Sequence, residues 1–414
     1  MLIPPRLPLP LRTFNTLGSA ARALGIYRNR LAPERLIAAA QQQTLLTDFG
    51  AGPFLGEMEI LVDALEREAR LSSLGRILAR DYLLKSLKTQ LQIQDWFNRH
   101  PEIADQPIVA PVFIIGMPRT GTSILHELMA LDDHNRVPQS WEVNAPCPPP
   151  ESARYTSDPR IAEMEKQYRG LDALLPAIRL MHRQGSQLPQ ECVAITAHVF
   201  AGMMLPTLYH IPSYTRWLHH EADMAPYYRF HRRFLQLLQW RNPRQRWVLK
   251  SPGHQWSLAA LVTEYPDARL IQTHRDPLKV LSSVTRLVTA MRCLASDHVD
   301  PRAVAREWAA YHAEALDSSW RVRESGALAG HTLIDTRFQD FMTDQAGTVR
   351  GIYDRLGLPW PAELDSAIRR YVADHPAGAH GGPGHRFEDL GLDATTERTR
   401  VAGYQNYFAV PSEP

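Results

Sequence analysis

The sequence predicts an α/β fold of three layers, with a central parallel sheet and helices on both faces. Three observations lead there. Residues 112–115 form a short apolar run rich in β-branched side chains, closed by Gly116 and followed by apolar residues at helical spacing (Ile124, Leu125, Leu128, Met129). A second unit places a strand at 246–250 before a helix at 255–264. A third places a strand at 269–274 before a helix from 277 to about 291. Short continuous apolar runs mark strands buried on both faces. Strands alternating with helices of this length imply parallel pairing through right-handed crossovers.

The chain has 414 residues, enough for one large domain or two modest ones. Residues 1–105 read as a helical section packed on the core, and 106–414 as the α/β domain. Within 34–100, Met58, Leu61, Val62, Leu65 and Ala69 recur at helical spacing, as do Leu84, Leu87 and Leu91. The first 33 residues hold five arginines and no acid. Their prolines break any signal-peptide core, so they read as a terminus leading into a helix, with membrane-surface contact as the functional alternative. Residues 132–135 are a polar break. Residues 138–150 are proline-rich and read as irregular rather than helical. They open an insertion, 138–245, that is largely helical from 158 onward and carries an aromatic block from Tyr209 to Trp240. Such insertions form lids or substrate walls. A fourth strand is expected at 331–335 and a helix at 344–356. Residues 375–393, rich in Gly and His, read as a loop.

The formal charge of +2 supplies no field for nucleic acid. No apolar run reaches the roughly 18 residues of a membrane span. Three scattered cysteines (Cys147, Cys192, Cys293) show no metal spacing and argue for a reducing, cytoplasmic compartment.

The junction after the first strand is where chemistry is expected. A strand, a Gly-bounded loop and a helix N-terminus gather backbone N–H groups and a helix dipole around an anion. Gly116, Gly121 and Ser123 fit the P-loop spacing G-x-x-x-x-G-K-[ST], but Thr122 stands where the lysine would be. That departure speaks against ATP or GTP hydrolysis and for a smaller anion, with Arg119 as a planar donor. Pro118-Arg119-Thr120-Gly121-Thr122-Ser123 resembles the sulfotransferase loop for the 5′-phosphosulfate of 3′-phosphoadenosine 5′-phosphosulfate (PAPS).

A second motif, Arg275-Asp276-Pro277 with Ser283 eight residues on, places an arginine at a strand exit and a hydroxyl on the next helix. The bland reading is a helix cap and a buried serine. The pair resembles the sulfotransferase segment that holds the 3′-phosphate. The stretches 247–254, 335–340 and 384–387 also look like bacterial members of that family. The resemblance implies a P-loop NTPase-like fold and a metal-free transfer of a sulfuryl group from PAPS to a hydroxyl or amine of a small molecule or lipid. A small-molecule kinase with a degenerate loop and a catalytically silent nucleotide-binding scaffold are the rival classes.

Sulfuryl transfer needs a cation near the departing phosphate. Lys250, at a strand end beside the loop, matches a family lysine in that role, with Arg119, Thr122 and Ser123 adding donors. It also needs a base for the acceptor proton. Glu142 ranks first, because some sulfotransferases, including the tyrosylprotein type, use as base a glutamate at about this distance from the phosphosulfate loop. His254 ranks second, because cytosolic sulfotransferases place a histidine after a comparable lysine. Glu191 ranks third, its simpler role being dipole complementation at a helix start. His219, His220 and His231 lack metal-site spacing. His385 and Arg386, in the glycine-rich tail, either fold over the nucleotide, as the family's basic C-terminal segment often does, or belong to a loop with no such role. The acceptor itself and the oligomeric state are not legible.

Overall fold

The computed structural model describes residues 4–26, 30–51, 54–176, 183–376 and 387–413. Five strands form one sheet: β1 (Val112–Gly116), β2 (Asn135–Arg136), β3 (Arg246–Lys250), β4 (Arg269–His274) and β5 (Thr332–Arg337). Their order is β2-β3-β1-β4-β5, and every pairing is parallel. β1 is central, with Ile114 opposite Lys250 on one side and Ile271 on the other.

The period-two alternation of strands sorts side chains into two layers. Val112, Ile114, Val248, Ile271 and Ile334 pack under the helices Thr122–Met129 and Gln345–Leu356. Phe113, Ile115, Leu249 and Leu270 pack against Ala225–Gln239 and Leu258–Glu264 on the other face. This is the expected three-layer α/β/α arrangement, of the P-loop-like type.

Four helices fill the amino-terminal section: Leu9–Ala23, Pro33–Thr44, Leu55–Arg67 and Ser73–Arg99. Met58, Leu61, Leu65, Leu83 and Leu87 join one apolar cluster with Val280, Val284 and Val288 of the helix Pro277–Ala295. The last of the four crosses that helix closely: Ser72 N–H donates to Ala295 O at 2.9 Å, and a Cβ on Gly75 would lie 1.9 Å from the same oxygen.

Several local expectations change. The polar break at 132–135 runs into β2, which pairs with Arg246 and Trp247 and is too short to show a period. The proline-rich stretch 138–150 contains a five-residue helix, Ser140–Asn144, because Glu142 accepts from Gln139 N–H at 2.8 Å and closes its first turn. The expected helix at 255–264 is a 3₁₀ turn, Pro252–Trp256, followed by Leu258–Glu264. Two long helices, Pro301–Glu324 and Ala394–Phe408, had no sequence reading. Their buried faces include Ala, His, Ser and Glu, so their apolar stripe is faint. In the aromatic block, Tyr209, Tyr214, Tyr227, Tyr228 and Phe234 are core residues. Among the described residues no helix is long and apolar enough to cross a membrane. His385 and Arg386 lie outside the described residues.

Candidate active site

The loop between β1 and the helix Thr122–Met129 is bent by three positive φ angles: Gly116 (143°), Arg119 (68°) and Gly121 (91°). Only glycine fits the first, since a Cβ there would meet Thr273 Oγ1 at 2.2 Å. Such left-handed residues turn successive N–H groups toward one point, a concavity suited to anions. The Thr120 hydroxyl is drawn inward, donating to Met117 O at 2.7 Å and lying 2.5 Å from Thr273 Oγ1. It therefore braces the loop against β4. Phe338 and Phe341, after β5, wall its other side at Gly121.

Lys250 ends β3 one strand away and is almost wholly buried. Its ammonium donates to Ser123 Oγ at 3.2 Å and is ion-paired with Glu191 Oε1. A buried ammonium requires such partners. Glu191 is the N-cap residue of the helix Cys192–Thr196, yet its side chain makes no cap bond and turns to Lys250 instead. The parallel register thus brings together the lysine, the loop hydroxyl and a carboxylate from the insertion.

The other two base candidates sit elsewhere. Glu142 is fully buried, and both its oxygens are taken: Arg136 Nη1 and Nη2 donate at 2.7 and 2.6 Å, with Gln139 N–H and Tyr155 OH completing the set. Stacked between Tyr155 and Trp247, Arg136 makes this a structural ion pair. Both oxygens of Glu142, the first-ranked candidate base, are thus engaged within the protein. His254 lies in the aromatic layer behind β1, edge-on to Phe113, with Nδ1 2.8 Å from Tyr228 OH. Burial and then the neighbouring His231 push its pKa well below the ordinary imidazole value.

The second motif lands beside the loop. Arg275 Nη1 donates to Arg119 O at 3.1 Å, tying the two segments, and its guanidinium lies 3.9 Å over the Phe338 ring. Asp276 caps the helix Pro277–Ala295 through Leu278 N–H and pairs with Arg398. Ser283 is half-buried two turns along, and Arg286 lies one turn further on the same face. Desolvation, then the charges of Arg275 and Arg286, lower the pKa of Arg119, which marks converging positive charge. Sequence reading missed Arg286, although its spacing of three from Ser283 was available. It also missed Glu413, whose carboxylate holds Arg275 at 3.0 Å (Nε) and 3.1 Å (Nη2). No local pattern could have found that contact, since 138 residues separate the partners.

The profile of the sulfotransferase family matches residues 111–362. The omega-hydroxy-beta-dihydromenaquinone-9 sulfotransferase Stf3 of Mycobacterium tuberculosis is 27% identical over 278 residues, 64% of this chain and 67% of that protein. Sulfotransferase STF9 from Mycobacterium avium superposes with a TM-score of 0.85 at 28% identity, covering 94% of this chain and 99% of that one. Sulfotransferase STF1 from Mycobacterium tuberculosis H37Rv superposes at 0.80 with 27% identity, covering 91% and 100%. The matched stretch opens at the strand before the loop and runs past β5, taking in Arg119, Lys250, Arg275 and Ser283 together, and the protein accordingly belongs to the sulfotransferase family, enzymes that transfer a sulfuryl group.

Proposed function

We propose that the protein is a PAPS-dependent sulfotransferase acting on a hydroxyl of a small molecule or lipid. The observation that carries this is Lys250, buried at a strand end and joined both to Ser123 of the loop and to Glu191. The 5′-phosphosulfate lies on residues 118–123, including Thr120, Gly121 and Thr122. The 3′-phosphate lies on Arg275 and Ser283 with Arg286 added.

Glu191 takes the proton from the acceptor hydroxyl. The acceptor oxygen then forms a bond to sulfur in line with the breaking bond between sulfur and the bridging oxygen. The electron pair of that bond leaves on the 5′-phosphate of adenosine 3′,5′-bisphosphate, where Lys250 and Arg119 stabilise the growing charge. The name of Stf3 specifies a hydroxylated quinone lipid, which supports an alcohol of that apolar kind as acceptor.

The test is release of adenosine 3′,5′-bisphosphate from PAPS by the purified protein, with a panel of phenols and lipid alcohols. Glu191→Gln should lower kcat by about 10²–10⁴-fold. Lys250→Ala should cost about 10²–10³-fold. Full activity in Glu191→Gln would remove that residue as base. Transfer from ATP that stops in EDTA, with none from PAPS, would replace the whole reading by a kinase.

A further inference from the structure

The helix Leu9–Ala23 is held to the body by one face only. Leu7 and Leu11 pack with Leu74, Leu78 and Leu294 in a small apolar cluster. Buried Asn15 donates to Asp297 Oδ1 at 3.1 Å and accepts from Leu74 N–H at 3.0 Å. Gly18 lies so close to Ser73 that a Cβ would come within 2.0 Å of its Oγ. These positions recur at spacings of three and four, so they fix the rotation of the helix.

That rotation turns an apolar face to solvent. Leu9 is 70% exposed, Phe14 44%, Leu17 66%, and just past the helix end Leu24 and Ile26 are each 75% exposed. Of the ten large apolar side chains exposed among the described residues, five fall in this one stretch. At a helical 100° per residue, Leu9, Leu24, Leu17 and Phe14 span an arc of about 140°. Charge is segregated in the same place. Residues 1–33 carry five arginines and no acid, leaving 41 basic against 44 acidic side chains in the remainder.

We infer that this helix seats the protein on an anionic lipid surface, with Leu9, Leu17 and Leu24 in the interface and Arg6 and Arg12 among the headgroups. An amphipathic helix with an apolar stripe and basic flanks is the form that lies in a membrane interface, and a negative leaflet accounts for both its features. An apolar protein groove would account for the leucines alone. The inference stands apart from the identity of the donor and the acceptor.

Co-sedimentation of the full chain with phosphatidylglycerol–phosphatidylcholine vesicles, and with phosphatidylcholine vesicles alone, tests it. Binding should favour the anionic vesicles, and Arg12→Gln should weaken it about fivefold. The pair Leu17→Glu and Leu24→Glu should abolish it. All three side chains are exposed, so the melting temperature should not move and loss of folding is separable. Undiminished pelleting of the double variant would overturn the inference, as would no pelleting with anionic vesicles at low ionic strength. A dimer in light scattering that the double variant dissolves would give the face to a second copy instead.

Discussion

Glu413 stands where the proposed 3′-phosphate must go. Its carboxylate receives two charge-assisted bonds from Arg275, at 3.0 and 3.1 Å, and its backbone N–H is anchored on Asp276 Oδ2 at 2.7 Å. The two side chains are 23% and 14% exposed, so solvent screens the pair only in part. An exposed pair is worth about 0–1 kcal/mol. Hydrogen bonds to charged groups reach about 1.5–3 kcal/mol. A value of about 1–2 kcal/mol suits this intermediate setting. A nucleotide that binds Arg275 through phosphate gives up that contact. Glu413→Ala should therefore tighten adenosine 3′,5′-bisphosphate by about 5–30-fold, at 1.4 kcal/mol per tenfold. Isothermal titration calorimetry reads this directly, with AMP as the control that lacks the 3′-phosphate and should be unaffected. An unchanged Kd in Glu413→Ala, alongside weakened binding in Arg275→Ala, would show that the carboxylate does not compete. Unchanged binding in both variants would remove the 3′-phosphate from Arg275 altogether.

Two further outcomes follow from buried groups. Glu142→Gln should leave kcat per folded molecule near wild type but cost about 3–5 kcal/mol of stability, because Arg136 would stay buried with its pair broken. A melting curve paired with active-site titration separates the two effects, and a large kcat loss at unchanged stability would return Glu142 to the chemistry. Stability should also fall with acid. Burial holds His126, His231 and His312 at about 3 and His198 at about 4, below the ordinary 6.5. The unfolded chain takes up protons below pH 6.5 that the folded chain refuses. Each such histidine thus withdraws up to about 1.4 kcal/mol per pH unit between 6.5 and its folded value. The urea midpoint should drop clearly from pH 7 to pH 5, and a flat profile would refute the buried neutral state.

Three of the five strands and the loop after β1 were legible because each is a local signal. Buried runs such as 112–115 are continuous in sequence, and Gly116 and Gly121 announce a turn that only glycine tolerates at their φ values. β5 was read one residue early and two residues short at its end, where Thr336 and Arg337 carry no apolar signal. β2 was lost because two residues cannot display a period, and its existence depends on Arg246 and Trp247. The helices Pro301–Glu324 and Ala394–Phe408 were lost because much of their buried surface is small or polar.

By itself the sequence determined the strand-loop-helix order and singled out the loop at 118–123, the second motif from Arg275 to Ser283 and the lysine between them. Each lies within one short stretch, where spacing alone dictates which backbone and side-chain groups can converge. Where Glu142, His254 and Glu191 lie relative to Lys250 was decided by the tertiary structure. Resemblance to sulfotransferases with a glutamate at that distance from the loop favoured Glu142, but packing engaged it with Arg136 and buried His254 against Phe113. Glu191 meets Lys250 only because the insertion folds back over the end of β3, a contact across 59 residues that no local spacing encodes.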